Sequence, residues 1–153
     1  MLAIIPGMLS TNDSGFGPAI PFDDEQRAPV PQKALLKVLV VDDEKLIADT
    51  ITEILKRNGF DAVGAYSGEQ ALQIAHRFSP DCLLADVLMP FMNGVDLAIT
   101  IRKISAATRI LLFSGHANSA DLLNDARLRG HQFEVVAKPI HPEKLMQLLR
   151  EKR

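Results

Sequence analysis

The chain has one cysteine, almost no net charge and no long apolar run, and each scarcity removes a class of function. Cys82 alone forms neither an internal disulfide nor a cysteine-rich zinc site, and its apolar neighbours point to a buried structural thiol. Seventeen basic against nineteen acidic side chains give a net charge of -2. No broad positive field is therefore available to hold a nucleic-acid backbone, and direct DNA or RNA binding is not expected. The opening Met1-Leu2-Ala3-Ile4-Ile5 lacks a basic leading segment and is interrupted by Pro6-Gly7. Nothing elsewhere approaches the roughly 20 uninterrupted apolar residues of a membrane helix, so a cytoplasmic protein without membrane contact is expected.

What is present is enough for one core of ordinary size, with 153 residues that are 47% hydrophobic. Residues 1–34 hold five of the nine prolines and three of the nine glycines and show neither hydrophobic period, which predicts a flexible tail. From Leu35 to Arg153 short apolar runs alternate with amphipathic stretches of helical length, the pattern of a parallel sheet wrapped by helices. The strand candidates are Lys37 to Val41, Asp61 to Ala65, Cys82 to Asp86, Arg109 to Ser114 and Phe133 to Ala137. Five helices fit between and after them. The first places Ile47, Ile51, Ile54 and Leu55 on one face, and the third places Leu97, Ile101 and Ile104 inward. Ser67 and Gln70 have capping-box spacing at the second, and Pro142 suits the first position of the fifth. The sequence ends with that helix, so a domain without an appended output module is expected.

In open parallel sheets ligands bind outside the carboxyl ends of the strands, where strand order reverses. Here those ends read Asp42-Asp43 after the first strand, Asp86 on the third, Ser114 on the fourth and Lys138 just after the fifth. In a flavodoxin-like doubly wound sheet of order 2-1-3-4-5 the first and third strands are neighbours, and the three carboxylates converge. Like charges so close raise one another's pKa values, and a divalent cation resolves the conflict. Mg2+ suits such a site, since it takes oxygen ligands and binds through one or two carboxylates plus a phosphate. Asp86 then has the chemistry of a nucleophile toward phosphorus, with Lys138 and the Ser114 hydroxyl placed to meet phosphoryl oxygens. Singly, each residue has a plainer role. Asp42 or Asp43 suits a cap for the first helix, Ser114 a turn before Gly115, and Lys138 a solvated charge.

At these residues the sequence resembles the response-regulator receiver family over about Leu35 to Arg153. The matching motifs are Val38-Leu39-Val40-Val41-Asp42-Asp43-Glu44, Asp86-Val87-Leu88-Met89-Pro90-Phe91-Met92-Asn93-Gly94, Ile110-Leu111-Leu112-Phe113-Ser114-Gly115 and Ala137-Lys138-Pro139. The resemblance implies Asp86 as phosphoacceptor, Asp42 and Asp43 as an acidic magnesium pair, and the Leu88 backbone carbonyl as a further metal ligand. It implies Ser114 as a switch hydroxyl, Lys138 as a phosphate contact and a cis Lys138-Pro139 bond. It also implies a sensor histidine kinase or a histidine phosphotransfer protein as donor, no separate substrate turned over, and signalling by protein contact or onward phosphotransfer. His116, two residues past Ser114, lies where the family tunes access of water to the acyl phosphate.

Two departures stand out. Where the family commonly carries Tyr or Phe three residues before the lysine, this chain has Val135, with Phe133 two residues earlier. The stretch Gly130 to Val135 is also one residue longer than the common pattern, which predicts a shifted or bulged fifth strand. Two other α/β classes compete. A haloacid-dehalogenase-like phosphatase needs a general acid two residues after its nucleophile, and Leu88 there moves no proton. A flavodoxin-type flavin module would cradle phosphate with backbone amides rather than face it with Asp42 and Asp43.

Overall fold

Branched and aliphatic residues dominate the runs Val38–Val41, Cys82–Ala85 and Ile110–Phe113, and in a computed structural model these segments are almost fully buried. The structure describes residues 34–115 and 119–151. The expected tail, apart from Ala34, lies outside the described residues, as does His116. The described elements run β1 (Lys37–Val41), α1 (Lys45–Arg57), β2 (Asp61–Ala65), α2 (Gly68–Phe78), β3 (Cys82–Asp86), α3 (Gly94–Ile104), β4 (Arg109–Ser114), α4 (Ser119–Leu128), β5 (Glu134–Ala137) and α5 (Pro142–Arg150). All strand pairs are parallel, in the order β2-β1-β3-β4-β5. The fold is therefore the expected doubly wound α/β sheet with five helices. No helix among the described residues is long and apolar enough to cross a membrane.

The sheet separates two apolar layers. Leu39, Leu83 and Leu112 pack with Ala71 and Ala75 of α2, Leu97 and Ile101 of α3 and Ala126 of α4. Val40, Leu84, Leu111 and Phe113 pack on the other side with Leu55 of α1 and Leu145 and Leu149 of α5. Each such large side chain removed from water contributes roughly 1.5–3 kcal/mol, and this fixes the helices that carry the loops at the carboxyl edge.

Two inner faces differ from those read off the sequence. In α1 the buried residues are Ala48, Thr52 and Leu55, whereas Ile47, Ile51 and Ile54 are only half-buried. Leu55 is buried as expected, and the rest of the stripe nearest the sheet takes the smaller Ala48 and Thr52 because α1 lies close to β2. A Cβ on Gly64 would sit 2.9 Å from Thr52 Oγ1. In α3, Leu97 and Ile101 are buried but Ile104 is 45% exposed, because it closes the last turn and the chain leaves the core through Ser105.

Polar side chains set several helix starts. Ser67 Oγ accepts from the Gln70 N–H at 3.1 Å, and Gln70 Oε1 accepts from the Tyr66 N–H at 2.8 Å, one residue earlier than the usual reciprocal bond. Asn93 Oδ1 accepts from the Asp96 N–H at 2.8 Å and so caps α3. The cap expected of Asp42 or Asp43 is not formed. The N-cap of α1 is Glu44, without a side-chain bond, and Asp42 Oδ1 instead accepts the Glu44 N–H at 2.9 Å.

Strand β5 starts at Glu134, one residue later than expected, and pairs with β4 in unbroken register from Leu111↔Glu134 to Ser114↔Ala137. The extra residue therefore falls ahead of the strand, not in it as a bulge. Phe133 is held there, stacked parallel to His131 at 6.2 Å and covered by the Arg102 guanidinium at 4.4 Å. Arg102 Nη2 also donates to the Gln132 carbonyl at 2.9 Å. These contacts use the added length to tie the approach of β5 to α3.

Candidate functional site

Strand register alone brings the acids together. Val41 pairs with Ala85 across β1 and β3, so the next residue on each strand, Asp42 and Asp86, leaves the sheet side by side. Asp86 pairs with Phe113 on β4, and Ser114 follows it; Ser114 in turn pairs with Ala137, and Lys138 follows that. Backbone bonds hold this edge: the Val87 N–H donates to the Phe113 carbonyl at 3.0 Å and the Lys138 N–H to the Ser114 carbonyl at 3.0 Å. Gly94 allows α3 to begin directly against β3, since a Cβ there would lie 2.1 Å from the Asp86 carbonyl oxygen. Gly115 lets the Lys138 stem pass, with the place of its Cβ 3.2 Å from the Lys138 Cβ and Cδ. The Lys138-Pro139 bond is cis.

One carboxylate oxygen from each of Asp42, Asp43 and Asp86 lies within 4.8 Å of the other two. Asp42 and Asp86 are buried, whereas Asp43 faces solvent. The Lys138 ammonium bridges the buried pair, with Nζ 3.4 Å from Asp42 Oδ2 and 3.3 Å from Asp86 Oδ2. Burial raises the pKa of Asp86 above the ordinary carboxylate value. The Lys138 charge opposes that rise, the Asp42 charge adds to it, and the Leu88 backbone N–H pulls it down. For Lys138 burial is the largest influence and disfavours the ammonium. The carboxylates of Asp86 and Asp42 outweigh it together, and its pKa is raised.

The donor set suits a hard divalent cation. It offers oxygen ligands only, and with all three acids ionised a single ammonium leaves the cluster with an excess of two negative charges. Mg2+ takes oxygen ligands and usually binds through one or two carboxylates plus a phosphate, a demand that this donor set meets. Among the described residues no N–H donates to the Leu88 carbonyl, which leaves that oxygen available at the same edge.

All six residues expected from the sequence thus fall at one edge of the sheet, with Asp42, Asp43 and Asp86 clustered and Lys138 paired to Asp42 and Asp86. The Ser114 hydroxyl is turned to a residue that sequence reasoning missed: it shares a hydrogen bond with the hydroxyl of Ser119, the first residue of α4, which is buried. A serine five positions after a strand end carries no sequence signal for this. Also missed was the fork of Arg109 on Glu134, Nε to Oε1 at 3.2 Å and Nη2 to Oε2 at 3.1 Å, with Nη1 donating to the Leu148 carbonyl at 2.6 Å. It fastens β4, β5 and α5 together away from the acids. Cys82 is buried and unpaired, and burial pushes its thiol up to about 12, as expected of a structural cysteine.

A five-stranded parallel sheet in this order, carrying clustered aspartates, a hydroxyl and a lysine at its carboxyl edge, defines a receiver-type α/β protein. Residues 38–150 match the model of the response regulator receiver domain, and the chain belongs to that family. The DNA-binding response regulator MtrA of Mycolicibacterium smegmatis is 31% identical over 114 residues, which are 74% of this chain and 49% of that protein. A response regulator receiver protein of Anaeromyxobacter is 32% identical over 112 residues, 73% of this chain and 46% of its own length. The chain spans about half the length of these curated relatives. Among solved structures, chemotaxis protein CheY4 of Vibrio cholerae has a TM-score of 0.68 at 29% identity, covering 76% of this chain and 98% of that one. A response regulator receiver protein from Pseudomonas putida also has a TM-score of 0.68, at 30% identity, covering 79% and 100%.

Proposed function

We propose that this receiver domain, residues 35–153, accepts a phosphoryl group on Asp86 from a histidine kinase or a histidine phosphotransfer protein. The observation that carries the reading is the Lys138 ammonium lying between Asp42 and Asp86, with Asp43 completing the acidic cluster. An Asp86 carboxylate oxygen attacks the phosphorus of a phosphohistidine. The O–P bond forms as the N–P bond breaks, and the imidazole leaves with its nitrogen lone pair restored. Lys138 neutralises one phosphoryl oxygen and the Ser114 hydroxyl donates to another. Asp42, Asp43, Asp86 and the Leu88 carbonyl would hold Mg2+, which when bound offsets the repulsion between an incoming phosphoryl group and the carboxylates.

On this reading the protein is a phosphoacceptor and turns over no separate substrate. The phosphorylated domain, in the cytoplasm, signals by protein contact or passes the phosphoryl group onward. DNA binding belongs to the MtrA relative, a chain about one and a half times as long. The experiment is phosphotransfer from a panel of phosphorylated histidine kinases with Mg2+ present. Label should reach the wild type from at least one kinase and not the Asp86→Asn variant. Equal labelling of both would reject Asp86 as the acceptor.

A further inference from the structure

Strand β5 offers no ring beside Ser114. Val135 stands on it, 45% exposed, and Phe133 sits ahead of the strand, pinned by Arg102 and His131. Because Leu111 pairs with Glu134 and Ser114 with Ala137, Phe133 lies about four residues from Ser114 along the sheet, roughly 13 Å. It is too far to feel a movement of that hydroxyl by contact. What Ser114 does touch is Ser119. That residue is 2% exposed and opens α4, a helix that otherwise fully buries only Ala126 and leaves Leu128 87% exposed. The end of β4 is thereby joined to a weakly embedded helix by a pair of hydroxyls.

We propose that Ser119 is a positioning residue that holds the Ser114 hydroxyl in the unphosphorylated arrangement and couples its release to α4; this rests on the phosphoacceptor reading above. The Ser114 hydroxyl is turned to Ser119 and has to swing away to donate to a phosphoryl oxygen on Asp86, so it exchanges the one bond for the other whichever serine donates in the pair. Burial of Ser119 shelters the existing bond from competing water and gives it holding power. The pair therefore opposes phosphorylation, and the free energy of the hydrogen bond is set against that of the phosphoryl contact. When Ser114 leaves, α4 loses its tether to β4, and the change reaches the surface without a rotating aromatic.

The test is binding of beryllofluoride with Mg2+, a phosphoryl mimic, to the full chain, together with a thermal melt of each variant. Ser119→Ala should bind the mimic about two- to tenfold more tightly than wild type, the range expected for one released hydrogen bond. Ser119→Thr, which keeps the hydroxyl, should bind as wild type does. In a Ser114→Ala background the Ser119→Ala change should no longer tighten binding of the mimic, since the latch has lost its other half. Should the alanine variant fold poorly, Ser119→Gly removes the same hydroxyl at a helix start, where glycine is tolerated. Unchanged or weaker binding in Ser119→Ala, or an equal gain in the Ser114→Ala background, overturns the latch while leaving the phosphoacceptor reading intact. Failure of the wild type itself to bind the mimic overturns both.

Discussion

Asp86 is ionised at a cost to the fold. Burial raises its pKa above 3.8, so the native state binds its proton more tightly than the unfolded chain does. Its contribution to stability therefore improves as pH falls through the raised value, and the difference vanishes below about 3.8, where both states are protonated. Replacing it with the neutral isostere in Asp86→Asn should raise the melting temperature of the metal-free protein near neutral pH and remove that acid-side trend, as calorimetry across pH would show. Lys138 has the opposite sense. Its raised pKa means stability that is complete below its ordinary value of 10.5 and is lost as pH climbs through the raised one. Lys138→Met should cost about 1.5–3 kcal/mol at neutral pH by stripping Asp42 and Asp86 of their shared cation. Urea unfolding measures this; a variant as stable as wild type would show that the two ion pairs contribute nothing net.

Helix placement decides how the acids are presented, and α3 is the most constrained element. An alanine at Gly94 would drive its Cβ into the Asp86 backbone oxygen, which has no room to retreat within a paired strand. Gly94→Ala should therefore destabilise by about 1–3 kcal/mol or more, read as a lowered urea midpoint with unchanged slope. The Asn93-Gly94 turn was legible from the sequence, as were all five strands to within a residue, because period and turn chemistry are local properties. The inner faces of α1 and α3 were less so. Which side of a helix faces the sheet depends on the size of residues on the partner strand, and Gly64 under Thr52 draws α1 close enough that Ala48 and Thr52 are buried with the expected Leu55 while the isoleucines stay half-buried. That Asp42, Asp86, Ser114 and Lys138 meet was readable because each ends a strand or directly follows one, and parallel register carries strand ends to one edge. Ser119 and the Arg109–Glu134 fork were not, since both arise from tertiary contacts between residues with no spacing rule to connect them.

Across the molecule, binding at the acidic edge should stabilise the whole fold, because β1 and β3, whose ends carry the acids, contribute to both apolar layers of the sheet. A ligand present at about a hundred times its Kd adds about 2.7 kcal/mol to unfolding stability, so Mg2+ should raise the melting temperature of the wild type and do so less for Asp43→Asn. Asp43 is the exposed member of the cluster, and its removal leaves the buried Asp42–Lys138–Asp86 arrangement in place. The most direct measurement of the central claim is intact-protein and peptide mass spectrometry after incubation with a small-molecule phosphodonor such as acetyl phosphate. The account predicts one phosphoryl adduct, mapped to Asp86, that forms with Mg2+ and does not form when the metal is chelated before the donor is added. An adduct carried by another residue, or none on Asp86 with metal and donor both present, would contradict it.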